Sequence, residues 1–176
     1  MPLALLEARE QRWRTKLELA RRFHACVLSL CLNIPGPDKN LPGAERAFAL
    51  LRAALHTAHE RELRRAGNGR AAVLHEADGA GADGPFHLLV SPLPGVTLKH
   101  MAVRLECEHP LGRLADIDIL TRTGEPVSRA DLGLAPRACF LCGEPAALCR
   151  RKKQHPQQAL VNFTLELLAT AGPETE

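Results

Sequence analysis

Asp116 and Asp118 stand two residues apart in RLADIDIL, Arg113 to Leu120, alternating with Ile117 and Ile119. That alternation predicts a strand, on which residues i and i+2 point the same way. The two carboxylates then project from one face, about 6.6 Å apart along the chain. Left bare, they repel each other and lose hydration. A divalent cation answers both problems, and Mg²⁺ takes oxygen ligands, using one or two carboxylates together with substrate phosphates. The alternative is a pair of solvent-facing aspartates on an edge strand, matched by nearby arginines. Glu106, in MAVRLECE just upstream, favours the metal. Val103, Leu105 and Cys107 alternate with Arg104, Glu106 and Glu108, so residues 101–108 are expected to form a strand. Hairpinned to the next strand, it brings a third carboxylate toward the aspartates. Three carboxylates about one or two Mg²⁺ suit a displacement at phosphorus, with Glu106 as third ligand or general base. His109, at the connecting turn, is a second candidate for proton transfer, set against the role of a structural turn histidine.

Three other groups carry chemistry. Cys139-x2-Cys142-x6-Cys149-x5-His155 offers four soft ligands of the kind that hold tetrahedral Zn²⁺, although the second half of the spacing is unusual. A redox CxxC is the weaker alternative, since no thioredoxin-like βαβ pattern surrounds it. PGPDK, residues 35–39, lies between an apolar strand and a helix, where backbone N–H groups and a helix start favour anions. Gly36 permits close backbone approach there and Lys39 adds positive charge. Arg113, opening the aspartate strand, can fork onto phosphate oxygens; Arg9, Arg12 and Arg129 are further anion-binding candidates or solvated surface charges.

These groups sit in a chain of 176 residues that is 45% hydrophobic, enough for a real core. Aromatic residues make up only 3%, with no Tyr, which argues against base-stacking nucleic-acid readers. A net charge of +3 does not mark a general polyanion binder. No apolar stretch reaches membrane-spanning length, and MPLALLEAREQRWR lacks the order of a secretory signal. A cytoplasmic location is expected, where the six Cys stay reduced and metal binding is a better expectation than disulfides.

The positioning elements follow from periodicity. Residues 3–24 predict a helix with Leu6, Trp13, Leu17, Ala20 and His24 on one side. Residues 25–34 predict a strand covered on both faces. A helix follows from Pro42 to about Arg65, with Ala47, Leu50, Leu51, Ala54 and Leu55 inward, ended by GNG at 67–69. Residues 70–76 and 86–91 predict strands joined by a flexible turn at 77–85, and residues 156–169 a last helix. The result is an α+β fold with a mixed or mostly antiparallel sheet, flanking helices and a C-terminal Cys-rich segment. Residues 1–135 form the expected catalytic domain. Residues 136–176, the Cys-rich segment and last helix, are expected to pack as part of the same domain.

HPLGRLADIDIL, SRADLGLAPRACFLC and CRRKKQH, together with LLEAREQR and NIPGPDKN upstream, resemble the citrate lyase holo-acyl-carrier-protein synthase family in the same order, over about residues 5–160. The resemblance implies a nucleotidyltransferase-like, Mg²⁺-dependent enzyme. Such an enzyme moves 2'-(5''-triphosphoribosyl)-3'-dephospho-CoA onto a serine of the acyl-carrier (gamma) subunit of citrate lyase, releasing pyrophosphate. It gives Asp116 and Asp118 the task of holding Mg²⁺ and favours phosphate binding at residues 35–39. It also gives the basic run Arg150–Lys153 a role in docking an acidic carrier. The competing reading is a zinc-stabilised, non-catalytic module binding an acidic protein or RNA through that run; three convergent carboxylates oppose it.

Overall fold

A computed structural model describes residues 3–67 and 73–172. Helix α1 spans Leu3–Phe23, β1 Cys26–Leu32, α2 Ala44–Arg65, β2 His75–Gly81, β3 Gly84–Ser91, α3 Gly95–Glu108, β4 Ala115–Leu120, α4 Ala146–Lys152 and α5 Gln157–Ala169. The strands form one antiparallel sheet in the order β2-β3-β1-β4. The fold is α+β, with helices flanking the sheet and the cysteines near the C-terminus.

Every residue of β1 is buried, as a central strand covered on both faces requires. On one face, Leu28, Leu30, Leu89, Ile117 and Ile119 meet Leu51 and Leu55 of α2, Leu98, Met101 and Leu105 of α3, and Leu168 of α5. On the other, Val27, Leu88, Val90 and Leu120 meet Leu19 and Ala20 of α1. Helix α1 is rotated from the expected stripe: Leu5, Lys16, Leu19 and Ala20 are buried, while Leu6 and Trp13 are exposed.

The expected strand over residues 101–108 is instead the second half of α3. The period of two among Val103, Leu105 and Cys107 is overridden by a longer stripe. Leu98, Met101, Ala102 and Leu105 recur at three and four residues and are all buried, whereas Cys107 is exposed. Glu106 therefore stands on a helix packed against β4, and not on a neighbouring strand.

The hairpin also differs from expectation. Residues 77–81, expected as turn, belong to β2 and pair with β3 down to Gly81 and Gly84. The lack of a side chain at Gly79 makes room for Phe86, whose ring a Cβ there would strike. Of the expected 70–76 strand, residues 70–72 lie outside the described residues, as do 68 and 69 of the helix-ending GNG. Helix α2 itself ends at Arg65.

Two devices fix β4. A short 3-10 turn, Gly112–Leu114, delivers the chain into the strand, and Gly112 presses against the end of α3. A Cβ at Gly112 would come within 2.4 Å of the Leu105 carbonyl oxygen and 2.6 Å of that of Glu106, so only glycine allows this approach. Along the strand's outer edge, the carbonyls of Ala115, Ile117 and Ile119 accept hydrogen bonds from Arg137, from Lys99 at 3.1 Å and from the Val127 N–H at 2.9 Å.

Candidate active site

Asp116 lies opposite Cys31 and Asp118 opposite Ser29; across β1, Phe86 and Leu88 continue the same rows. Residues paired in this way share a sheet face. Ala115, Ile117 and Ile119 are buried while both aspartates are open, with side chains 55% and 64% exposed. The sequence thus placed the carboxylate pair correctly on one face of a rigid strand.

Helix α1 crosses this face and divides it. Its last turns seal the apolar part, and its middle lays Arg12 and Lys16 over the polar part. Lys16 is buried, and its Nζ stands 3.3 Å from Asp118 Oδ2. Arg12 pairs with buried Asp83 at the hairpin turn and lies over the Phe86 ring, 5.6 Å from its centroid. Burial pushes the Cys31 thiol up to about 11, opposed by Arg12 and reinforced by Asp116 and Asp83. It is a neutral wall of the site.

The third carboxylate is present in a different guise. Glu106 is buried, with Oε1 2.9 Å from Arg137 and Oε2 paired to Arg129. Arg137 reaches on to Asp116 Oδ1 at 3.9 Å. Both oxygens of Glu106 are thus committed to arginines. This suits a residue that positions Arg137 beside Asp116 better than one that binds metal or takes a proton. Desolvation by surrounding protein, then the charge of Asp118, raises the Asp116 carboxyl above its ordinary range; Arg137 opposes this.

The remaining expected residues are partly redistributed. Lys39 is buried and donates to the Ile34 carbonyl oxygen. Desolvation, then Arg9, pushes its ammonium below the ordinary lysine range, so Lys39 and Arg9 act on each other beside Asp83. Gly36 has φ +85°, and a Cβ there would sit 2.8 Å from Gln157 Nε2. The 35–39 loop therefore packs against the start of α5, and α2 begins only at Ala44. Arg113 lies in the 3-10 turn, not in the strand. It donates to the carbonyls of Cys139 at 2.6 Å and Ala138 at 3.3 Å, with Phe140 beneath its guanidinium. It anchors the cysteine segment. His109 caps α3, and its Nδ1 accepts from the Leu111 N–H at 3.1 Å; desolvation lowers its pKa. Its contacts are those of a turn histidine.

The cysteine expectation converges in space. Ligand atoms of Cys139, Cys142, Cys149 and His155 all lie within 4.8 Å of one another. Cys142 Sγ is 3.5 Å from Cys149 Sγ and 3.3 Å from His155 Nε2. A tight turn closed by the Cys139 N–H to Glu144 oxygen bond presents the first pair, and α4 presents Cys149. Three thiols and an imidazole so grouped fit a tetrahedral metal ion. Beyond them Arg150, Arg151, Lys152 and Lys153 are exposed at the end of α4.

Sequence reasoning missed Lys16, Asp83 and Arg137. Lys16 lies four residues after Arg12, on the same helical face, which was a usable signal. Arg137 sits in the irregular APRAC stretch, where no periodicity marks direction.

A family model described as Apo-citrate lyase phosphoribosyl-dephospho-CoA transferase matches residues 3–171. The chain is 35% identical over 164 residues to the Apo-citrate lyase phosphoribosyl-dephospho-CoA transferase of Escherichia coli O139:H28 (strain E24377A / ETEC), covering 93% of this chain and 86% of the relative. It is 31% identical over 168 residues to the Probable apo-citrate lyase phosphoribosyl-dephospho-CoA transferase of Streptococcus pyogenes serotype M18 (strain MGAS8232), covering 93% and 83%. With a match running from the first helix to the last and relatives similar over nearly their whole length, this chain belongs to the apo-citrate lyase phosphoribosyl-dephospho-CoA transferase family of enzymes.

Proposed function

We propose that the chain transfers 2'-(5''-triphosphoribosyl)-3'-dephospho-CoA to a serine of the apo acyl-carrier (gamma) subunit of citrate lyase. The serine Oγ–phosphorus bond forms as the bond to the departing pyrophosphate breaks, leaving a phosphodiester. One observation carries the reading: in a family named for this transfer, Lys16 and Arg137 flank an open pair of carboxylates, Asp116 and Asp118.

Asp116 and Asp118 fit Mg²⁺, being two open oxygen donors on one rigid strand with room for phosphate oxygens and water. Bound there, the ion supplies charge neutralisation for the triphosphate. Arg12, Lys16 and Arg137 orient the donor's phosphates from either side, in fixed positions that cost no reorganisation during the reaction. Arg9 and Lys39 extend this cationic strip for the distal phosphates, with Gly36 shaping the loop that carries Lys39. Glu106, itself fixed by Arg129, holds Arg137, and Arg113 and His109 hold the adjoining turns. Zn²⁺ at Cys139, Cys142, Cys149 and His155 closes the C-terminal segment, as a four-ligand structural site does. Arg150–Lys153 receive the acidic carrier. The reading places the chain in the cytoplasm, where these thiols stay reduced.

The test is direct. The protein is incubated with apo carrier subunit, the triphosphoribosyl precursor and Mg²⁺, and the carrier is weighed by mass spectrometry. A mass gain matching the prosthetic group is expected, and it should vanish with Asp116→Ala or Asp118→Ala. An unmodified carrier under these conditions, or folded variants acting at normal rates, overturns the reading.

A further inference from the structure

On the sheet face opposite the aspartates, α2 lies over β2 and β3. There His56, Glu76 and His87 bring one ligand atom each to within 4.8 Å of one another. His56 Nε2 stands 3.5 Å from Glu76 Oε2, close to the roughly 3.4 Å edge of a tetrahedron of ligands about 2.1 Å from a metal. The His56 and His87 rings are 4.9 Å apart between centroids.

The decisive residue is His87. It is fully buried, and its Nδ1 is 2.8 Å from Asp78 Oδ1. Its Nε2 is buried and has no hydrogen-bond partner among the described residues; neither has His56 Nε2. An unpartnered polar atom in a protein interior is costly and calls for an explanation. A histidine whose Nδ1–H is held by a carboxylate presents its Nε2 lone pair in fixed orientation, the usual arrangement behind a metal-bound imidazole. Asp78 is balanced in turn by Arg52, 2.8 Å from its other oxygen, so that carboxylate is committed to orienting His87.

We propose that His56, Glu76 and His87 form a second metal site, for Zn²⁺ or a similar first-row divalent ion, distinct from the cysteine cluster and from the aspartate pair. Two imidazoles and one carboxylate are a zinc donor set, and Glu76, half exposed at the sheet edge, leaves a fourth position to water. The ion ties the edge strand β2, through β3, to the helix above it.

The experiment uses the full chain. Protein stripped with chelator and dialysed is reloaded with excess Zn²⁺, desalted, and its bound zinc counted by elemental mass spectrometry. His56→Ala and Glu76→Gln alter partly exposed side chains, and circular dichroism verifies that both variants fold. Each is expected to retain one equivalent fewer than the unaltered protein. In parallel, Co²⁺ loading reports the cysteine cluster through its thiolate charge-transfer absorption, which both variants should keep in full. Nitrogen NMR should show His87 Nε2 shifting on zinc addition in the unaltered protein only. Equal zinc content in all three proteins, with no His87 shift, means that uptake is confined to the cysteines and overturns the proposal.

Discussion

Glu106 meets Arg137 at 2.9 Å beneath the site, and the same guanidinium extends to within 3.9 Å of Asp116. A buried carboxylate on α3 thus sets the position of a cation beside an open carboxylate on β4. Removing the Glu106 charge takes away the ion-pair partner of Arg129 and leaves Arg137 with only Asp116, 3.9 Å away, in a partly desolvated place. Glu106→Gln should cost about 3 kcal/mol of stability. Urea denaturation measures this, and an unmoved midpoint would contradict the pairing.

Asp116 offers a trade between stability and activity. Its folded-state pKa is raised, so the unfolded chain gives up this proton more readily than the folded one. The group therefore favours folding least at neutral pH, where it is ionised, and the penalty fades as pH falls through the carboxylate range. In metal-free buffer, Asp116→Asn should raise Tm at pH 7, leave it unchanged near pH 3, where aspartate is already protonated, and abolish transfer. A lower Tm at pH 7 would mean that the pairing with Arg137 outweighs desolvation by the surrounding protein.

Lys16 contributes a buried cation next to Asp118. Lys16→Met preserves the stem's packing and removes the charge. The transfer rate should fall on the order of 100-fold, the usual cost of deleting one fixed charge-stabilising donor. Lys16→Arg should restore part of it. Full activity in the methionine variant, by the carrier mass assay, would exclude Lys16 from the site.

The cysteine cluster should behave as a clasp. Chelation or Cys142→Ser should lower Tm, each kcal/mol lost amounting to about 2–4 °C in a chain of this size. Arg113→Ala should lower it too, since Arg113 holds the carbonyls of Ala138 and Cys139. Scanning calorimetry with and without added Zn²⁺ separates the two: zinc restores the chelated protein but not the arginine variant.

What the sequence disclosed depended on how each group is buried. The strand β4 has one covered and one open face, so its alternation set the aspartates on the open one. The cysteines needed only their spacing. Glu106 lay in a segment with two competing periods, and the choice depended on Leu98, outside the window that suggested a strand. Lys16 was easily passed over because a buried lysine contradicts its hydropathy; its partners are Asp118, across 102 residues of chain, and the Trp13 ring beneath its ammonium. Arg137 and Asp83 act from a loop and a turn, where side-chain direction is set by tertiary contacts alone.

The outer border of β4 has a consequence of another kind. Its outward carbonyls at Ala115, Ile117 and Ile119 are already satisfied by Arg137, Lys99 and the Val127 N–H. An edge so occupied offers no template for a foreign strand. The protein can keep an uncovered row of acids at its sheet border without inviting edge-to-edge aggregation. A carrier that visits this border must do so through side chains and loops, and leaves without breaking a β-ladder.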